Sequence, residues 1–193
     1  CGDKDIFIKN PAVAIPTSAI FTNNDSVIFI GNEYGQLVRW DITKNLIQRV
    51  NVSKGSISQV VSFGQNQILF ATALSEIGIL NTSDLTITKT WKTEHPITCI
   101  AGLPVENIVI IGDKEGNVEF WNSESKSKMA SENMNTSSKN VLPIISIALS
   151  EDGKNLIASN GKNLSLFNTK KRTLTSTIAK GKKPHQVVFK DNN

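Results

Sequence analysis

The residues in this 193-residue chain best equipped for nucleophilic, acid–base or metal chemistry are few: His95, His185, Cys1, Cys99 and carboxylates placed mostly between apolar runs. Neither histidine has a second His or a Cys at ligand spacing, which argues against a zinc site. Each reads as a hydrogen-bonding residue of a loop or strand end rather than a general base. Cys99 sits in the apolar run ITCIAGL and reads as a buried free thiol. Asp113, Glu115, Glu151 and Asp152 have the charge for calcium, but the oxygen-rich loop spacing is absent, so they read as solvated turn residues. No glycine opens a helix after a strand, as a phosphate-cradling loop requires. The expectation is therefore a non-enzyme, with no catalytic residue, no cofactor and no metal.

The bulk properties bound what can position these groups. The length suits one domain, and 39% hydrophobic with 20% charged residues is ordinary globular usage, so the chain buries a core. A net charge of +4 is small, and no dense basic tract interleaved with aromatics occurs, so nucleic acid is not an expected partner. Lys170, Lys171 and Arg172, followed by Lys180, Lys182 and Lys183, make the C-terminal part basic and read as a solvated turn and outer edge. No apolar stretch approaches the roughly 20 residues of a spanning helix. Short β-rich runs alternate with turn residues, and no helical i, i+3, i+4, i+7 spacing persists, so the chain reads as all-β.

The runs repeat. SVIFIGNEYGQLVRWD (residues 26–41) aligns with NIVIIGDKEGNVEFWN (residues 107–122): an apolar run, a glycine-containing turn, then an alternating strand ending in Trp. QILFATALSEIGILN (residues 67–81) and NLIASNGKNLSLFN (residues 155–168) are further copies, so Trp40, Leu80, Trp121 and Phe167 step by 40, 41 and 46 residues. That step matches the period of about 40 to 45 residues of four-stranded propeller blades. Each copy is preceded by an apolar inner run (TSAIF, ISQVVSF, ITCIAGL, IISIALS), and polar runs such as TITKTW suit a solvent-facing outer strand.

Trp40-Asp41, the weaker forms Trp121-Asn122 and Phe167-Asn168, the turn glycines Gly35 and Gly116, and SEDGKNLIAS (residues 150–159) together resemble the WD-repeat (WD40/YVTN-like) β-propeller family over roughly residues 16–178. The resemblance implies blades of four antiparallel strands and a face that binds proteins. It also implies a hydrogen-bonded His–Ser/Thr–Asp–Trp network within each blade, of which this sequence matches only His95 at the His position, with Glu115 before Gly116 where an Asp is expected. The blades should then lean more on apolar packing.

One β-propeller domain over residues 1–193 is the expected organisation: an N-terminal segment 1–15 with a closing strand at 5–10, blade 1 at 16–55, blade 2 at 56–94, blade 3 at 95–141 with a polar loop at 123–140, blade 4 at 142–181, and the start of a fifth at 182–193. Four blades and a fragment imply a partial ring or open arc, with self-association a consequence of its uncovered ends. The opening Cys1-Gly2-Asp3 resembles a mature bacterial lipoprotein lipidated at Cys1, the alternative being a domain boundary that falls at a cysteine. The leading functional expectation is a non-catalytic, protein-binding envelope lipoprotein facing the periplasm, serving outer-membrane assembly or periplasmic respiration, with the membrane reached only through that lipid. The alternatives are a propeller enzyme or cofactor-binding protein with a site in the central channel, and part of a cytosolic WD-repeat scaffold.

Overall fold

A computed structural model describes residues 14–22, 25–135, 141–180 and 186–189. Cys1, His185, the strand expected over residues 5–10 and residues 182–185 lie outside the described residues.

The described strands form four sheets of four, each an antiparallel meander in chain order. The first sheet holds β1 (Pro16–Thr22), β2 (Val27–Asn32), β3 (Gln36–Asp41) and β4 (Leu46–Asn51); the second holds β5 (Ile57–Ser62), β6 (Gln67–Thr72), β7 (Glu76–Asn81) and β8 (Ile87–Lys92). The third holds β9 (Ile97–Leu103), β10 (Ile108–Asp113), β11 (Asn117–Asn122) and β12 (Ser127–Asn133); the fourth holds β13 (Ser146–Leu149), β14 (Asn155–Ser159), β15 (Asn163–Asn168) and β16 (Thr173–Lys180).

The sheets stack face to face, and an apolar cluster fills each of the three seams. Val27, Phe29 and Leu37 of the first sheet meet Ile68, Phe70 and Leu80 of the second. Leu69, Ile77 and Ile79 of the second meet Val109, Ile111 and Trp121 of the third. Ile108, Ile110 and Phe120 of the third meet Leu156, Ala158 and Phe167 of the fourth. A sheet between two others must be apolar on both faces, which is why β10 is buried at every position and β6 at five of six. The outer strands β4 and β8 are mostly exposed and correspondingly rich in Lys, Arg, Gln and Thr. Contacts run between neighbouring sheets through the inner strands, β1 with β5, β5 with β9 and β9 with β13, and the described residues form no closed ring.

The repeat markers occupy one structural position. Trp40, Leu80, Trp121 and Phe167 are each the fifth residue of the third strand. They pair with Ile28, Ile68, Val109 and Leu156 on the second strand. Leu80, Trp121 and Phe167 each point at the preceding sheet. Trp40 stands on the opposite face of β3 from Leu37, so it faces away from the other three sheets.

Neighbouring inner strands are also tied by a recurring hydrogen bond from a backbone N–H to a side chain one sheet back. Val60 N donates to Ser18 Oγ at 3.0 Å, and Ile100 N donates to Gln59 Oε1 at 2.7 Å. Val187 N donates to Ser146 Oγ at 3.2 Å in the same way. Residues 186–189 therefore lie beside β13 as β5 lies beside β1, and Gln186-Val187-Val188 repeats the Gln59-Val60-Val61 of β5.

The hairpin turns repeat too. Twelve described residues have positive φ, one in each of the three turns of each sheet. The first turns use Asp25, Gly64, Asn107 and Gly153; the second use Gly35, Ser75, Gly116 and Gly161; the third use Asn45, Leu85, Lys126 and Arg172. A left-handed residue is what lets a short connection reverse a twisted strand pair.

The polar loop expected over residues 123–140 is corrected. Only a turn separates β11 from β12, and residues 127–133 of that stretch are the outer strand of the third sheet. The polarity that suggested a loop is what an outer strand carries: its ladder is made by the backbone, and only its inward side needs apolar contact. Met129 supplies such contact, and Met134, just past the strand, is buried in the seam with the fourth sheet.

Two substitutions test the turn geometry. A Cβ on Gly116 would lie 2.6 Å from the Leu142 carbonyl oxygen, and its φ of +83° already excludes most side chains. Gly116→Ala is expected to cost more than about 1 kcal/mol. Ser75→Gly relieves a left-handed serine at φ 58° and should raise stability by about 0.5 kcal/mol, the small surplus of strain removed over chain entropy added. Urea denaturation midpoints of the two variants, moving in opposite directions, are the measurement.

Candidate protein-binding surface

The sequence markers hold the blades together from the polar side as well as the apolar one. Asp41 accepts hydrogen bonds from Thr43 Oγ1 at 2.8 Å and Lys44 N at 3.0 Å, closing the turn after β3. These bonds, the Thr43 hydroxyl first, hold its carboxyl below the usual carboxylate range. Asn81, Asn122 and Asn168 stand at the same place and accept from Ser83 N, Ser125 N and Lys171 N, each at 2.8 Å. An Asp or Asn after the marker is thus a cap for the third turn, since its short side chain reaches backbone N–H groups two and three residues on. The second turns are capped likewise: Asn32 Oδ1 takes the N–H groups of Tyr34 and Gln36, and Asp113 Oδ1 takes that of Asn117 at 2.8 Å. Asp113 is buried, not a solvated turn residue as expected, because the turn it caps is folded against the sheet end.

Trp121 lies in the seam between the second and third sheets, and its indole Nε1 donates to Glu119 Oε2 at 2.8 Å. Glu119 is 2% exposed, and its other oxygen accepts from Lys128 Nζ at 2.9 Å. That ammonium also stands 5.9 Å from the centroid of the Trp121 ring and 3.7 Å from Glu94. The Glu119 hydrogen bond holds the Lys128 pKa up. Neither Glu119 nor Lys128 stands out as a candidate in the sequence. A carboxylate two residues before the marker, on the same face of the strand as the buried Trp, was the signal for the first; Lys128 lay in the supposed loop. At the equivalent place β3 has Val38 and β7 has Gly78, so this polar cluster belongs to the third sheet.

His95 lies in the link between β8 and β9, half-buried, and its carbonyl accepts from Thr93 Oγ1 at 2.9 Å. Cys99 is a buried free cysteine on β9, and desolvation pushes its thiol up to about 12. No three His, Cys, Asp or Glu side chains cluster as a metal site among the described residues, and no described helix is long and apolar enough to cross a membrane. Gly35 and Gly116 lie in the second turns, and Phe167 is fully buried.

What the molecule offers a partner is its sheet ends and seams. A cleft of about 480 Å³ opens at one end of the seam between the third and fourth sheets, where the β9–β10, β13–β14 and β15–β16 turns meet. Leu103 and Ile108 line it with Lys154, Lys170, Arg172 and Glu106. The far face of the first sheet, carrying Ile28, Ile30, Val38 and Trp40, is half-buried.

No protein-family model matches the chain. It is similar to eukaryotic translation initiation factor 3 subunit I of Bombyx mori, 26% identical over 113 residues, which cover 57% of this chain and 34% of that protein. The same subunit of Nematostella vectensis is 23% identical over 128 residues, covering 62% and 40%, and that of Drosophila ananassae 26% over 136 residues, covering 64% and 41%. The chain therefore spans about a third to two-fifths of the length of these curated relatives. The homology is distant, and the four-stranded antiparallel sheets are consistent with propeller blades.

Two measurements check this polar and apolar accounting. Lys128→Met leaves the buried Glu119 carboxylate without its cation and should cost about 1 to 3 kcal/mol, discounted because Lys128 is a third exposed; the double change Glu119→Leu with Lys128→Met should recover part of that loss in chemical denaturation. Cys99 should resist iodoacetamide at pH 8 in the native state and react on unfolding, as peptide mapping by mass spectrometry would read.

Proposed function

We propose that this chain is a non-catalytic scaffold that binds proteins within a multisubunit assembly, in the manner of a cytosolic WD-repeat protein. The observation that carries the reading is the similarity to translation initiation factor 3 subunit I, which runs over 57% to 64% of a chain built as stacked four-stranded sheets. Such sheets present turns at their two ends on a rigid core, and binding residues sit most readily on loops held in this way. The envelope-lipoprotein role expected from Cys1-Gly2-Asp3 gains no support from these relatives, and the cytosolic alternative is better supported. The channel-enzyme alternative would gain from His95, His185 and a carboxylate held in one pocket; His185 lies outside the described residues, and the similarity to the initiation-factor subunit is what supports the scaffold reading over it.

Residues 186–189 begin a fifth sheet on this reading. The Val187 N–H to Ser146 Oγ bond, at the position used by Val60 and Ile100, supports that assignment.

Titrating the purified chain, by biolayer interferometry, against each of the other subunits of initiation factor 3 from its own host tests the proposal. Saturable one-to-one binding of at least one subunit is expected. Absence of binding to all of them, with the chain folded by circular dichroism, would overturn it.

A further inference from the structure

The cleft at the seam of the third and fourth sheets has features that the scaffold reading alone does not account for. Its walls are fixed before any ligand arrives. Thr169 Oγ1 donates to the Gly153 carbonyl at 2.6 Å and Thr169 N to the Lys154 carbonyl at 3.1 Å, which locks the β13–β14 and β15–β16 turns together. The first of these turns is stiffened internally: Ser150 Oγ donates to Asp152 Oδ1 at 2.8 Å, and Lys154 N donates to the same oxygen at 3.0 Å. Leu103 of the third sheet comes close enough to Gly153 that a Cβ there would meet it at 2.8 Å, so the seam is closed by glycine at this point.

The charges around the cleft do not balance. Asp152 is spoken for, with its carboxylate 3.0 Å from Lys154 Nζ. Lys170, Arg172 and Glu106 make no salt bridge among the described residues, which leaves two cations against one carboxylate. Arg172 is the more telling of the two. It is half-buried, held at φ 58° by the turn, and its Nε N–H is buried with no acceptor. Below these cations the floor is apolar, from Leu103 and the buried Ile108. A volume of about 480 Å³ lies within the roughly 300 to 1,000 Å³ of clefts that hold ligands.

We propose that this cleft docks an acidic peptide segment, its carboxylates against Lys170 and Arg172 and a neighbouring apolar side chain on Leu103 and Ile108. The inference deepens the scaffold reading, on which it rests, by naming one place where a partner's segment sits and what chemistry it carries. A guanidinium lining the cleft favours a planar carboxylate, which can take two N–H groups at once. Nucleic acid fits less well: among the described residues the cleft has two cations without a salt bridge and no aromatic side chain, which give neither a phosphate track nor a stacking surface.

Fluorescence anisotropy with labelled acetyl-Glu-Glu-Asp-Leu-Leu-Glu-Glu-amide tests the site. Controls replace the acidic residues by Gln and Asn, replace them by Lys, or replace the two leucines by Ser, and a heptauridylate of RNA serves as competitor. The acidic peptide is expected to bind at least tenfold more tightly than the amide or basic versions, and several-fold more tightly than the serine version. Its affinity should fall as salt rises. Lys170→Glu with Arg172→Glu should weaken it at least tenfold, and Lys170→Glu alone, at an exposed residue, several-fold, with both variants folded by circular dichroism. Equal binding of acidic and amide peptides, full affinity in the double variant, or displacement by the RNA at lower concentration than by unlabelled peptide would each overturn the proposal. The assay contains no initiation-factor subunit, so its failure removes this site and leaves the scaffold reading to its own titration.

Discussion

A sheet of four short strands cannot hide its own apolar side chains, because successive residues point to opposite faces and both faces here are apolar. Burial therefore has to come from another sheet laid against it, at about 25 cal/mol for each Å² removed from water. The rest of the structure follows from that demand. Phe29, Phe70, Phe120 and Phe167 are all completely buried, and each lies in a seam rather than inside a sheet's own ladder. The seams are contiguous contacts between neighbours in sequence, so the molecule grows by addition of like units, each stabilised by the one before it and the one after.

Stacking leaves the polar backbone of many tight turns at the two ends of each sheet, and the chain resolves this locally. Asp41, Asn81, Asn122 and Asn168 satisfy the N–H groups of one set of turns; Asn32 and Asp113 satisfy those of another. Because every cap is a side chain bonded to backbone two to four residues away, the turns are rigid without needing help from neighbouring sheets. The cleft beside Thr169 and Gly153 is shaped by hydrogen bonds already made, so any ligand docking there would cost this side of the contact little ordering entropy.

Glu119 shows how one unit departs from its siblings. Where β7 has Gly78, whose missing side chain makes room for the Phe70 ring, β11 places a carboxylate in the seam. A buried carboxylate is tolerable only when its oxygens are filled, and the Trp121 indole and the Lys128 ammonium fill them. The family resemblance implies a network that anchors the Trp through a His, a Ser or Thr and an Asp; here the Trp121 indole is anchored through its own strand and the outer one instead.

The sequence by itself determined the period, the strand types and the identity of the marker positions, because alternation along a strand and a side chain at a turn are local facts that 40-residue spacing then repeats. It also exposed Cys99 as a buried thiol, since its neighbours are apolar on both sides. It misread residues 127–133, because an outer strand is held by backbone hydrogen bonds that leave no compositional trace, and Asp113, because burial of a turn residue depends on which sheet folds over it. Only tertiary structure brought Glu119 together with Lys128 across the ladder, pointed Trp40 away from the stack while Trp121 points into it, and set Leu103 at the end of β9 beside Lys170 and Arg172 of the β15–β16 turn around one cleft. The first outcome depends on the register of β11 against β12 and the other two on how sheets are stacked, and a chain read residue by residue records its neighbours in sequence but not its neighbours in space.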